Sequence, residues 1–296
     1  MTTPSIADLP QPRPGRVPDR EECVEQAYFF RHFRERIAEN LPAQDVLSRI
    51  HEEVLTTTRL PMAIQFVASE LNHSGRLSRG FELLPHYFTP FQTFVVRQAE
   101  DEKQRLTMPI ALLILEREAE YKAKEPTRPG LFVYQYESIA RNRLGYNDGL
   151  KAMSDDPMYG PDWAKYIDQV RRQGGIIDFC DLVYWRSVLY VQDERRKKPD
   201  YVPNAPPLYA EREGKIAKAA RGRDPLFLFA ALQRQLNYPE IPRLRSKDSL
   251  DAKLEMQTLK LRELETRIRM LESETRGTFD PTQLGKPDMF KDVKDE

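Results

Sequence analysis

The chain has 296 residues, of which 40% are hydrophobic and 31% charged, with only 13 glycines; this balance suits packed helices better than strands and turns. Lys plus Arg equals Asp plus Glu at 46 each, so the global basic excess of a protein that coats nucleic acid or an anionic membrane is missing. Two cysteines, Cys23 and Cys180, exclude a disulfide framework and a thiolate metal quartet.

Residues 1–18 are rich in proline and polar groups and read as a disordered arm. No apolar run in them serves as a signal peptide, and the longest one in the chain, Ile110 to Leu115, is far too short to span a bilayer. The expectation is a cytoplasmic protein with no membrane contact. Asp19 and Glu22 resemble a capping box opening a helix with Val24, Ala27, Tyr28, Phe30, Phe33 and Ile37 at near-helical spacing. Pro42 disfavours helix at Leu41, so this element stops near Asn40.

A second helix should carry Val46, Leu47, Ile50, Val54 and Leu55 on one face, and a third should run from Pro61 to Gly75. A short helix around Phe81 to Leu84 is broken by Pro85. Pro90 starts another, and Ile110 to Lys124 forms a strong helix that is apolar first and then charged. Pro126, Pro129 and Gly130 punctuate the chain before helices at Leu131–Leu144 and Pro161–Gln173. Ile176 to Lys198 reads as one long helix. The prolines of residues 199–207 then make a linker, which the sequence places as the boundary between a helical body, 19–198, and a basic helical pair, 208–246.

The strongest pattern lies in residues 248–276. With Leu254, Leu261 and Ile268 as a positions, the d positions fall on Leu250, Gln257, Leu264 and Leu271, which is a coiled-coil seam. The flanking g positions are basic and the e positions mostly acidic. A parallel pair places Lys260 near Glu265 and Arg267 near Glu272 of the other chain, whereas an antiparallel pair sets like charges together. Each contact is worth only a few tenths of a kcal/mol, but all favour a parallel homodimer. Met256, Leu259 and Met270 lie off the seam and offer the rival arrangement, a helix folded back on the body. Residues 277–296 read as a disordered tail with Phe279, Leu284, Met289 and Phe290 as anchors for a partner protein.

Chemistry is sparse. Glu70 and His73 form the one metal-like pair, without the second E-x-x-H that a di-iron bundle uses. Glu116 and Glu120 are carboxylates on a charged helix face, where solvation is the common state. Cys180 between Asp178 and Asp181 reads as a buried structural thiol. No phosphate loop, dinucleotide fingerprint or nucleophile elbow occurs, so no cofactor is expected and enzymatic activity ranks behind interaction. The basic residues Arg195, Arg196, Lys197, Lys198, Lys215, Lys218, Arg221 and Arg223 are diluted by acids, and they keep nucleic-acid binding through 195–223 as a third reading. The expected whole is all-α: a multi-helix body, a C-terminal coiled coil and disordered termini, in a homo-oligomeric interaction or scaffold protein. The second reading is an enzyme or ligand-binding protein with its site inside the body.

Overall fold

The computed structural model describes residues 18–39, 41–101, 103–124 and 126–242, and, further on, 257, 258, 260, 261, 264 and 268. Among these the chain is all-α, with thirteen helices and no strand. They are α1 (Arg20–Ala38), α2 (Ala43–Ile50), α3 (Leu60–Ser74), α4 (Leu77–Glu82), α5 (Pro90–Glu100), α6 (Met108–Ala123) and α7 (Arg128–Asn142). Then follow α8 (Tyr146–Ser154), α9 (Pro161–Gln173), α10 (Phe179–Trp185), α11 (Val188–Lys197), α12 (Glu211–Ala220) and α13 (Pro225–Leu236). No helix is long and apolar enough to cross a membrane among the described residues.

Local chemistry sets many of the boundaries. Pro61, Pro90, Pro109, Pro129, Pro161 and Pro225 all sit in the first turn of their helices, where a missing N–H costs nothing and φ is already helical. Thr89 and Gln92 complete a capping box at the start of α5. Asp19, by contrast, is the N-cap of α1 without a side-chain cap hydrogen bond. Gly75 closes α3 in the left-handed region at φ 71°. The start of α4 is satisfied from a distance: the Glu100 carboxylate, at the end of α5, accepts the N–H groups of Leu77 and Ser78 and the Ser78 hydroxyl. That bond supplies the cap that Arg76 does not.

The structure divides into two compact units, Met1–Leu244 and Arg245–Glu296. The first has one continuous core. Its largest helix contact joins α1 to α6, and α3, α4 and α5 pack in succession. Phe29, Phe30, Phe33, Phe81, Phe88 and Phe91 are buried there, with Phe81 stacked on Phe88 at 3.8 Å. Each such ring contributes about 1.5–3 kcal/mol by leaving water. A second aromatic region centres on Phe132, whose ring neighbours are Tyr136, Trp163, Tyr166 and Phe179. Tyr136 and Phe179 stack at 4.2 Å, and Phe179 meets Phe229 of α13 at 5.8 Å.

Several elements depart from the sequence expectation. The second helix ends at Ile50; Val54 is buried from the turn that follows, while Leu55 is exposed. The helix before Gly145 ends earlier, at Arg143, which takes the left-handed conformation at φ 54°, and α8 was not expected at all. Residues 176–198 form two helices, not one. The break falls at Arg186–Ser187, because the Arg186 carbonyl accepts the N–H groups of Leu208 and Tyr209 at 2.7 and 3.1 Å and the Val188 N–H donates to the Tyr209 carbonyl. Ser187 then caps α11 by accepting the Tyr190 N–H.

The same contact bears on the linker. Residues 199–207 leave α11 and return the chain to it, so that Tyr209 is buried beside Tyr166 and Trp163. Beyond it α12 packs on α10, and α13 packs on α7. The expected boundary at 199–207 thus falls inside the first unit. The arm 1–17, the tail 277–296 and most of 248–276 lie outside the described residues.

Candidate functional site

Three places carry the residues that the sequence singled out. In the second unit, Gln257, Lys260, Leu261, Leu264 and Ile268 are helical and exposed. The exposure of Leu261, Leu264 and Ile268 is 59%, 48% and 54%, high for large aliphatic side chains. Leu250, Leu254, Glu265, Arg267, Leu271 and Glu272 lie outside the described residues.

Five of the eight basic residues singled out in 195–223 are paired with acids of the same chain. Lys218 Nζ lies 2.7 Å from Asp193 Oδ2, Arg196 3.4 Å from Asp193 Oδ1, and Lys197 2.7 Å from Glu194. Lys215 pairs with Glu211 at 2.6 Å, and Arg221 with Asp181 at 2.5 Å. Arg221 and Lys218 also sit over the Tyr184 ring, at 4.4 and 5.5 Å from its centroid, while the Tyr184 hydroxyl donates to Asp193. Hydrogen bonds from Lys218 and Tyr184 hold the Asp193 carboxyl below the usual carboxylate range. Any polyanion on this face would compete with these carboxylates for the same cations.

Glu70 and His73 share the outer part of α3, with His73 exposed. Among the described residues no three His, Cys, Asp or Glu side chains gather in a metal-holding arrangement. Cys23 and Cys180 are free thiols and both buried. Burial is the chief cause that pushes Cys23 up to about 11 and Cys180 up to about 12, with Asp178 and Asp181 adding to the effect at Cys180.

Glu116 and Glu120 are not simply solvated. Glu116 is buried and takes Arg31 at 2.8 Å and Arg34 at 3.0 Å, and Glu120 also pairs with Arg31, all from α1. The side chain of Glu116 is the main cause that raises the Arg31 guanidinium further. This network fastens one flank of α6 to α1.

One turn away lies a group the sequence reading missed. Glu118 and Lys122 of α6, Gln135 of α7, and Asp156 and Tyr159 of the α8–α9 connection are all buried. Lys122 Nζ is 3.1 Å from Glu118 Oε1 and 3.8 Å from Asp156 Oδ2. The Tyr159 hydroxyl donates to Gln135 Oε1 at 2.8 Å, which turns Gln135 Nε2 to donate to Glu118 Oε1 at 2.6 Å. Asp156 Oδ1 accepts the Met158 N–H at 2.9 Å. Glu118 Oε2, Asp156 Oδ2 and Lys122 Nζ make no aligned hydrogen bond.

Burial pushes the Glu118 carboxyl above its ordinary value and Asp156 adds to the rise, against the opposing pull of Lys122 and Gln135. Burial works the other way on Lys122, but the two carboxylates outweigh it and hold the ammonium above the usual lysine range. With exposures of 6% or less, the group presents nothing to a substrate. Its chemistry is limited to proton and hydrogen-bond exchange.

Two adjoining open clefts mark the outer surface. One, of about 350 Å³, has an apolar floor of Phe81, Phe88 and Phe94 between α4–α5 and α8. The other, of about 680 Å³, is polar, and the two share Glu82 and Arg97, whose charges neutralise each other at 3.3 Å. No protein-family model matches the chain, and no curated protein or solved structure is significantly similar to it.

Proposed function

We propose that this protein is a homo-oligomeric interaction or scaffold component, in which the heptad seam of the last helix joins two copies in parallel. The observation that supports it is the exposure of Leu261, Leu264 and Ile268, three apolar residues at consecutive a and d positions of a helix. Each is about half exposed, so covering all six in a dimer contributes about 5–9 kcal/mol at roughly 1.5–3 kcal/mol per full side chain. Association itself costs about 4–15 kcal/mol. The pairing therefore draws on Leu250, Leu254 and Leu271 as well, and Gln257 serves to fix the register at some cost in stability.

On this reading the arm 1–18 and the tail 277–296 serve as short ligands for other proteins. An ion-paired basic segment and a lone Glu70–His73 pair lend less support to the nucleic-acid and metal-dependent readings. Sedimentation equilibrium tests the proposal: the full chain should run as a dimer, and removal of residues 248–296 should leave a monomer. A dimer that survives the deletion would withdraw the seam from this role.

A further inference from the structure

The group around Glu118 joins three parts of the fold that are distant in sequence, and its charges do not balance. Two carboxyls and one ammonium are enclosed together, with side-chain exposures of 0% for Glu118, 0% for Asp156 and 2% for Lys122. A buried negative charge without a counter-charge is far more costly than the loss of one proton's free energy of ionisation, so such groups neutralise.

The hydrogen-bond pattern says where a proton would go. Glu118 Oε1 already receives the Gln135 amide and faces the Lys122 ammonium. Asp156 Oδ1 already receives the Met158 N–H. The two oxygens left without a donor are one from each carboxyl, Glu118 Oε2 and Asp156 Oδ2. Protonation of Glu118 Oε2 gives the group a donor where it now has only acceptors.

We propose that the Glu118–Lys122–Asp156 group holds one proton, on Glu118 Oε2, near neutral pH. That proton latches the α8–α9 connection onto α6 and α7. Its loss leaves a surplus negative charge in the core and loosens residues 155–160, so the device strengthens as pH falls.

The other groups facing this site are few. From α1 comes the Cys23 thiol, which interacts with both Lys122 and Glu118. From α7 come Gln135 and Tyr134, the latter donating its hydroxyl to the Ile114 carbonyl at 2.7 Å. The connection brings Asp156 and Tyr159, and α6 itself brings Lys122 and, next to Tyr159, Tyr121. Cys23, Tyr134 and Tyr159 stay neutral in this range, since burial raises all three. Arg20 of α1 donates to the Ala123 carbonyl at 3.2 Å and Arg128 of α7 lies beside Gly160, but neither is among the main influences on Glu118, where Lys122 is the cation that counts.

The sign of the pH effect follows from the raised Glu118 carboxyl. Its stabilising contribution is complete below the ordinary 4.5 and is lost as pH rises through the folded-state value. Glu118→Gln fixes the neutral form. The expected result is a Tm for Glu118→Gln at or above that of the native chain near neutral pH, with a gap that widens as pH is raised from acid to weakly alkaline.

Hydrogen exchange of the Met158 and Tyr159 amides, which bond to Asp156, should be slower in Glu118→Gln than in the native chain at the alkaline end. Infrared spectra of the native chain near neutrality should show a protonated carboxyl band that disappears in both Glu118→Gln and Asp156→Asn. Absence of that band from the native chain overturns the proposal. So does a Glu118→Gln protein that fails to fold, or one that is destabilised by the same amount at every pH.

Discussion

Gly214 of α12 lies so close to Ser187 that a Cβ placed on it would fall 2.4 Å from Ser187 Oγ and 2.8 Å from Ser187 Cβ. Ser187 cannot yield. Its hydroxyl donates to the Tyr184 carbonyl at 2.7 Å and accepts the Tyr190 N–H at 3.2 Å, and its neighbours bond to 208–209. Gly214→Ala is therefore expected to push α12 off the α10–α11 corner and to lower stability by about 1–3 kcal/mol, the usual cost of overpacking. Urea unfolding measures it. A midpoint equal to that of the native chain would show that the corner accommodates a methyl group.

Arg143 offers the opposite test. It is exposed and held at φ 54° as the cap of α7, a conformation that costs an L side chain roughly 1–2 kcal/mol. Glycine removes that strain and costs roughly 0.5–1 kcal/mol in the unfolded chain. Arg143→Gly should thus raise stability by a few tenths to about 1 kcal/mol, seen as a higher Tm; a lower one would reveal a role for the arginine side chain.

The two thiols should be silent in the folded protein. Cys23 and Cys180 are 3% and 1% exposed, and their raised values of about 11 and 12 keep the reactive thiolate scarce at neutral pH. An aromatic disulfide reagent should label neither within minutes and both once denaturant is added. Because the folded state holds these protons more tightly, stability should decline as pH climbs above the ordinary thiol value of 9.0. Rapid native labelling of one equivalent would contradict the burial.

Charge swapping probes the proposed seam. A chain with Lys260→Glu and Arg267→Glu, and another with Glu265→Lys and Glu272→Lys, should each dimerise more weakly than the native protein. Mixed together they should recover, with a preference of roughly tenfold for the mixed dimer, since four symmetric contacts contribute a few tenths of a kcal/mol each. If instead each swapped chain dimerises as tightly as the native protein, and their mixture more tightly than the native dimer, the helices run antiparallel, since like charges then already face one another in the native pair.

The parts of this fold that local chemistry controls are readable from the sequence, and those that distant partners control are not. Prolines 61, 90 and 161 announce helix starts because the imino acid carries its own dihedral wherever it stands, whereas Pro129, which reads as punctuation, sits inside the first turn of α7. The split at Ser187 depends on Leu208 and Tyr209, some twenty residues on, so an apolar run there looks continuous. Phe29 and Phe30 are adjacent yet both fully buried, because α1 has neighbours on more than one side, which periodicity cannot foresee.

The buried charge group was half visible. Ala111, Leu115, Glu118 and Lys122 fall on one buried face of α6, so the apolar stripe runs directly onto two ionisable residues. Charge suggested solvent where the face indicated core. Asp156 completes the group from a different part of the chain, and only the folded structure brings it to Lys122. The heptad seam presents the reverse case, since its pattern is fully local while the partner proposed for it is another molecule.

The strap at 199–207 has a consequence for biosynthesis. Tyr209, Phe229 and Tyr238 complete the aromatic region begun by Phe132 and Trp163, and the Asn142 amide donates to the Pro242 carbonyl at 3.1 Å. A nascent chain emerging from the ribosome has its α7 and α9 rings exposed until these late residues appear. The aromatic region of the first unit accordingly cannot be completed until residues 209–242 have been translated, and a ribosome stalled within the strap would display an aromatic surface of the kind chaperones bind.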